Sequence, residues 1–236
     1  MNKNAPVPNP PDPPRRRAVS KRSLATSLSI LDAAERLFAE RGYDGASVRD
    51  IAAAAGAQIA SISFHHGGKE ALFARVVERR ASELSRLRLD ALETLKAQAD
   101  PLTLAGVLSA FLRPYLDKAG AGDPQWLAYA RLVAMVSADA RWHAISERCF
   151  DPTAGIFIAE IGKLFPDADP SRIAVAFVFS VSAMLSLSTS TWRIEALSAQ
   201  PDSAAAIDSL ADDLVRFCEA GMRAALAGRG SAPALA

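Results

Sequence analysis

A chain of 236 residues that is half apolar can bury a sizeable core, in one large domain or two small ones, and reads as a folded soluble protein. Its 27 basic and 26 acidic side chains nearly cancel, but residues 1–80 hold 13 basic against 8 acidic and the remaining 156 hold 14 against 18. That asymmetry suggests an anionic partner for the front half only. The two cysteines, Cys149 and Cys218, offer no metal-ligand spacing and no disulfide framework, which fits a reducing cytoplasm. No secretory signal is expected, because the first two dozen residues have no apolar core.

The first 22 residues carry six prolines between Pro6 and Pro14, then Arg15, Arg16, Arg17, Lys21 and Arg22, and should stay flexible. Such a tail is either simply solvated or a basic arm that follows phosphates into an adjacent groove. From Leu24 the pattern turns helical. Ile30, Ala33, Ala34, Leu37 and Phe38 form one apolar face, with Glu35, Arg36 and Glu40 placed opposite. Gly42 should end this helix and Gly45 permit the turn. Ser47, three residues before Asp50, has capping-box-like spacing for a short second helix that turns Val48, Ile51 and Ala52 inward. Gly56 ends that helix, and Gln58 to His65 makes a third, with Ile62 facing the core.

Two short helices joined by a tight turn around Gly must cross steeply, leaving the second projecting. An exposed helix of about two turns fits the major groove of double-stranded DNA, while the helix before it lies across the backbone. Gly67-Gly68 then breaks the chain. Lys69 follows in the first turn of a fourth helix, where a cation opposes the helix dipole unless an anion such as a phosphate faces it.

The segments ILDAAERLFAERGYDGASVRDIAAAAG and GGKEALF resemble, in order and spacing, the N-terminal domain of the tetracycline-repressor-like (TetR) family of bacterial regulators. The resemblance implies that Ser47 and Lys69 hold phosphates while the Gln58-to-His65 helix reads bases. The family pattern ends that helix in Tyr-x-His-Phe or Tyr-His-Phe, whereas this chain has Phe64-His65-His66. Phe64 therefore lacks a phosphate-binding hydroxyl, and His66 stands where an aromatic core residue is expected.

The DNA-facing candidates that the resemblance implies, with side-chain chemistry added, are Ser47, Arg49, Gln58, Ile59, Ser61, Ser63, Phe64, His65 and Lys69. Gln58 can pair bidentately with adenine, Ser61 and Ser63 can donate or accept, and Ile59 or Ala60 can touch a thymine methyl. No Arg or Lys lies between Arg49 and Lys69, so shape and phosphate contacts should carry much of the affinity. Adjacent His65 and His66 point about 100° apart on a helix and rarely chelate together, and no HExxH or Cys/His spacing supports a metal. Ser63 and Glu70 stand where a phosphate-binding loop around Gly68-Lys69 would need Gly and Ser or Thr, and no G-x-S-x-G is present. No catalytic residue, metal or cofactor is assigned.

A long helix with Leu72, Phe73, Val76, Val77, Leu84, Leu87, Ala91, Leu92 and Leu95 should link the two halves and stop at Asp100-Pro101. Leu102 to Leu116, Pro124 to Ser137, Arg141 to Phe150 and Pro152 to Phe165 also favour helix. The expected fold is all-α: a three-helix DNA-binding domain over residues 23–78, then a helical bundle over 79–228 for ligand binding and dimerisation, with flexible tails at 1–22 and 229–236. Phe111, Tyr115, Trp126, Tyr129, Met135, Trp142 and Phe157 should fill the bundle interior. Of these, Phe111, Tyr115, Trp126, Tyr129, Trp142 and Phe157 are candidates to line a cavity for a small-molecule effector, a pocket that the family resemblance implies.

The longest apolar run, Ile173 to Leu187, is shorter than the roughly 20 residues a bilayer core needs and is interrupted by Ser180, Ser182 and Ser186. It reads as a buried helix within Ser171 to Ser190, covered on several sides, so no membrane is expected as a partner. The last helix, Ser203 to Leu226, sets Ile207, Leu210, Leu214, Phe217, Cys218, Gly221, Met222 and Leu226 on one face. These two helices either close the bundle or pack on symmetry mates in a four-helix homodimer interface, as in TetR-like proteins. A homodimer with heads about 34–36 Å apart suits a palindromic operator. The resulting expectation is a repressor released by its effector. A ligand-independent DNA-binding protein is a second reading, and a helical-bundle enzyme or metal-binding protein a third.

Overall fold

The computed structural model describes residues 21–198 and 207–227. The first helix, α1 (Lys21–Gly45), begins earlier than expected and includes Lys21 and Arg22; the rest of the basic tail, the 229–236 tail and the start of the Ser203-to-Leu226 segment lie outside the described residues. Gly42, at φ 71°, breaks α1 where the sequence places its end. Ser47 then caps α2 (Val48–Ala54), its Oγ accepting the Asp50 amide at 3.1 Å. Gly56, at φ 62°, turns the chain into α3 (Ile59–His66), so Gln58 is the residue before the helix. The fourth helix, α4 (Lys69–Lys96), runs unbroken from this head into the rest of the molecule.

Ile30, Ala34, Phe38, Ile51, Ile62 and Phe73 close the head core, with Phe38 edge-on to Phe73 at 5.1 Å. His66 fills the slot expected for an aromatic ring. It is buried, with Nε2 3.3 Å from Ser27 Oγ and Nδ1 without a partner. Burial holds its pKa below the ordinary 6.5, with the Ser27 contact opposing. Ser29 Oγ donates to the Ala55 carbonyl at 2.9 Å, tying the end of α2 to α1.

Glu35 departs from the sequence expectation. It was placed on the solvent side of α1 but is fully buried, because α1 is covered on that side too. Arg79 Nη2 reaches its Oε2 at 2.6 Å, and Arg80 binds both oxygens at 3.0 and 3.2 Å. Arg79 also pairs with Asp32 at 2.7 Å.

The body follows as α5 (Leu104–Gly120), α6 (Pro124–Ala138), a 3₁₀ turn at Ala140–Trp142, α7 (His143–Cys149), α8 (Asp151–Leu164), α9 (Pro170–Thr189), α10 (Thr191–Ser198) and α11 (Ile207–Leu226). The sequence did not suggest α10. Thr103, Asp123 and Asp169 cap α5, α6 and α9 through their side chains. Leu92, Leu104, Leu108, Leu112, Tyr115 and Phe157 anchor the body core. Leu132, Val136, Trp142 and Ile145 pack instead into the head core, so the two cores interlock. Trp142 is therefore no cavity residue. It packs at 4.5 Å from Phe73 and 4.8 Å from Tyr43, because the 3₁₀ turn faces the head.

Two further expectations change. By length and composition α9 could cross a membrane, with mean hydropathy 1.6, but 39% of that stretch is buried and its inner face packs on the body core. It is not covered on several sides: Val175, Val178 and Phe179 are exposed. On α11 the inner stripe is Ala211, Val215, Cys218, Met222 and Leu226, while Phe217 and Gly221 point outward.

Glu35→Gln leaves two guanidinium groups facing a neutral amide. It should cost about 3 kcal/mol, the low end for breaking a buried pair because both arginines keep some water access. Thermal unfolding would then shift down by roughly 6–12 °C. An unchanged melting temperature would show that the cluster adds nothing. His66→Phe removes an unpaired buried nitrogen and should gain about 1 kcal/mol at pH 7. Because the folded pKa of His66 is depressed, its contribution is complete above the unfolded value of 6.5 and declines as pH falls below it, since the unfolded chain takes up the proton first. Melts at pH 7.5 and 5.5 should differ less for His66→Phe than for the parent.

Candidate DNA-reading surface and ligand cavity

The head turns one strip of α3 outward. Ile59, Ala60, Ser63 and Phe64 are exposed at helical spacing, Phe64 to 82%, while Ile62 and His66 lock the opposite side into the core. Ser61 and His65 lie half-buried at the edges. Gln58 is exposed and its side chain makes no cap bond, so its amide is unspent on the fold. At the far end, Gly67 closes α3 with its amide on the Ser63 carbonyl, and Arg75 Nη1 donates to the His65 carbonyl at 3.3 Å. A short helix held at both edges and bare along one strip has the shape that enters a major groove.

Ser47 and Arg49, both exposed, stand at the start of α2, and Lys69 opens α4. The misfit of a lysine at a helix N-terminus is partly answered within the chain: Lys69 Nζ lies 4.4 Å from the centroid of the Tyr43 ring, a cation–π contact. Tyr43 in turn packs on Phe38, Phe73 and Trp142, which fixes the lysine at the mouth of the head rather than leaving it to sweep through solvent.

The body forms a partly open cavity of about 460 Å³ between α4, α5, α6, α7, α8 and α9, within the roughly 300–1,000 Å³ that holds small molecules. Of the six aromatic candidates, Phe111, Tyr115 and Tyr129 line it. Trp126, Phe157 and Trp142 do not: Trp126 packs edge-on to Tyr129 beneath Arg80 and Lys118, Phe157 is sealed behind Phe111, and Trp142 belongs to the head. The wall also includes Leu84, Val133, Phe177, Val181 and Leu185.

Arg88 is the lining residue that sequence reasoning missed. The sequence sets Leu87 on the inner stripe of α4, yet Leu87 is only half-buried and Arg88 is 8% exposed. The signal was present, because Arg88 stands four residues from both Leu84 and Leu92, but an arginine amid ERRASELSRLRLD looks like a solvated face. Among the described residues, no group of His, Cys, Asp and Glu is arranged to hold a metal ion.

Comparison with known proteins follows this division. The family model "Bacterial regulatory proteins, tetR family" matches residues 30–76, and "Tetracyclin repressor-like, C-terminal domain" matches residues 109–221. The HTH-type transcriptional repressor AcnR of Corynebacterium efficiens is 35% identical over 68 residues, 29% of this chain and 36% of that protein. AcnR of Corynebacterium glutamicum is 40% identical over 58 residues, 25% of this chain and 31% of its own length. The chain thus matches about a third of these curated relatives. FadR from Bacillus subtilis, solved in complex with stearoyl-CoA, shares the fold at TM-score 0.59 and 16% identity, over 82% of this chain and 98% of that one. AibR, solved with isovaleryl coenzyme A and operator DNA, aligns at TM-score 0.56 and 18% identity, over 81% and 97%. With its head and its body matched in order by the two family models, the chain belongs to the tetR family of bacterial regulatory proteins.

Proposed function

We propose that this chain is a cytoplasmic, homodimeric transcriptional repressor whose two α3 helices read a palindromic operator and which leaves DNA when a small molecule fills the body cavity. The observation that carries the reading is that one helix serves both sites. Within α4, Lys69 sits at the DNA-facing mouth, Arg79 and Arg80 grip Glu35 of α1, and Leu84 and Arg88 line the cavity. Arg80 and Arg88 are about 12 Å apart along the axis. A ligand that displaces the cavity segment of α4 therefore moves the arginines that hold the head. AcnR is named a transcriptional repressor, and FadR and AibR were solved with acyl-coenzyme A ligands, AibR with its operator as well, which supports a ligand-controlled reading.

Dimerisation is supported by the outer faces of α9 and α11. Val175, Val178 and Phe179 on α9 and Phe217 on α11, the helix packed beside it, are exposed, Phe179 to 67% and Phe217 to 71%. Large apolar side chains facing water on a packed helix pair favour a second copy as their cover.

Three measurements test the proposal. Gln58→Ala should cost roughly 1–3 kcal/mol at a single operator position, read by titrating operator variants; equal weakening on operator and random DNA would remove Gln58 as a base reader. Phe179→Asp combined with Phe217→Asp should yield a monomer by sedimentation and lose operator affinity while keeping its helical content. A persisting dimer would place the interface elsewhere. Ligand at saturating concentration should weaken operator binding roughly 5–150-fold, the effect of about 1–3 kcal/mol of coupling. Operator binding that no cavity ligand changes would leave a ligand-independent DNA-binding protein.

A further inference from the structure

Arg88 presents a charge without a counter-charge. Its Nε donates to the Phe111 carbonyl at 2.8 Å, its guanidinium plane covers the Phe111 ring at 3.6 Å from the centroid, and Nη2 meets only the Met184 sulfur at 3.7 Å, a weak acceptor. Among the described residues no carboxylate pairs with it, and Asp151, the one acidic side chain in the cavity wall, is exposed at its rim. Burial pulls the guanidinium down only to about 10, so it stays cationic at neutral pH. The phenols cannot neutralise it: burial pushes Tyr115 up to about 12 and Tyr129 higher still, so both remain protonated. Both hydroxyls are buried; Tyr115 lies beside the Ser188 hydroxyl, and Tyr129 has no hydrogen-bond partner. The cavity thus contains one cation and two phenols with no anion to accept from them.

We propose that the effector is a monoanionic carboxylic acid with an apolar body, its carboxylate seated on the Nη1–Nη2 edge of Arg88 and bonded by Tyr115 and Tyr129. The inference deepens the ligand-released reading above and rests on it. Several features select this chemistry. Nε is already used by Phe111, which leaves the end of the guanidinium as a two-pronged donor matched to the two oxygens of a carboxylate. Arg88 is the only basic residue in the described wall, so a single negative charge balances it, whereas a phosphate dianion would bring an excess charge into an apolar enclosure. The remaining wall, with Leu84, Val133, Phe177, Val181 and Leu185, takes an aliphatic or aromatic body. A coenzyme A thioester fits less well, because its carbonyl is uncharged and would leave Arg88 unbalanced.

The test uses the full chain and a fixed panel: benzoate against benzamide, and octanoate against methyl octanoate and octanoyl-CoA. Binding is read by calorimetry and thermal shift, and release by operator titration. The acids should bind roughly ten- to a hundredfold more tightly than their uncharged partners, as expected for charge-assisted hydrogen bonds. Arg88→Met should abolish that preference, so that acid and ester bind alike, while the empty protein melts no lower than the parent because an unbalanced buried charge has gone. Tyr129→Phe, which removes only an unbonded hydroxyl, should weaken acid binding about fivefold without loss of stability, and it keeps the test available if Arg88→Met folds poorly. No acid preference anywhere in the panel, octanoyl-CoA binding as tightly as octanoate, or an acid preference that survives Arg88→Met would each overturn the proposal. The two readings fail separately. Release of operator by methyl octanoate or octanoyl-CoA but not by the acids sinks the carboxylate and leaves the ligand-released repressor. Acid binding that Arg88→Met abolishes but that leaves operator affinity unchanged keeps the site and sinks the ligand-controlled release.

Discussion

A carboxylate with no access to water, Glu35, fixes how the head joins the body. Removing it from solvent is costly, and its attraction to Arg79 and Arg80 offsets that only while the geometry of both contacts is kept. Apolar contacts between α1 and α4 tolerate small rotations; two charged hydrogen-bond sets on one carboxylate do not. A third helix joins them, since Gln125 at the start of α6 places its side-chain amide against Glu35 and Arg36. The angle between α1, α4 and α6 is therefore set at one point. The direction in which α3 projects follows from that angle, because α1 also carries the Ser27 and Ser29 contacts that hold α2 and α3.

The same helix contains two opposite electrostatic situations. At Arg79 and Arg80 the buried charge is matched within the chain; two turns further on, at Arg88, it is not. Arg88 is held in place by the Phe111 carbonyl, which lies just before Pro114, the residue that has no amide hydrogen to give the Ala110 carbonyl and loosens α5 there. A helix rigidly anchored at its head end and electrostatically unfinished at its body end is a lever with a defined fulcrum. Whatever completes the charge at Arg88 acts on an arm whose other side is clamped to the DNA-reading unit.

The head was largely readable from the sequence because its determinants are local. Ser47 caps α2 from three residues away, Gly42 and Gly56 sit where the backbone needs positive φ, and Ile62 alternates with exposed neighbours on a helix of only eight residues. Glu35 and Arg88 escaped the sequence reading for a shared reason. Periodicity assigns each helix one inner face, which holds for a helix at the rim of a bundle but not for α1, which touches α2, α3, α4 and α6 at once. For α4 the inner face itself drifts: Val76 and Val77, then Ala81, Leu84, Arg88 and Leu92 trace it, and the charge of Arg88 masks a position whose spacing fits. Trp142 shows a different limit. Composition indicates that an aromatic residue is buried, but only the way α6 and α7 fold back over the head decides which of the two cores takes it.

α9 sets the cavity directly beside the proposed seam. Its inner side supplies Phe177, Val181, Met184 and Leu185 to the cavity wall, and its outer side supplies Val175 and Phe179 to the surface proposed as the dimer seam. Val178 belongs to both: it lines the cavity and remains exposed outside. There is no layer between, so side chains on one helix separate the cavity from the proposed seam. Packed apolar side chains transmit displacement rather than absorb it. On the ligand-released reading proposed above, a ligand that enlarges the cavity would have two mechanical outlets, α4 toward its own head and α9 toward the proposed seam. In a dimer both change the separation of the two α3 helices, the quantity to which a palindromic operator is sensitive. The apolar character of α9, which in isolation resembles a membrane span, serves the body core and the cavity wall on its inner side.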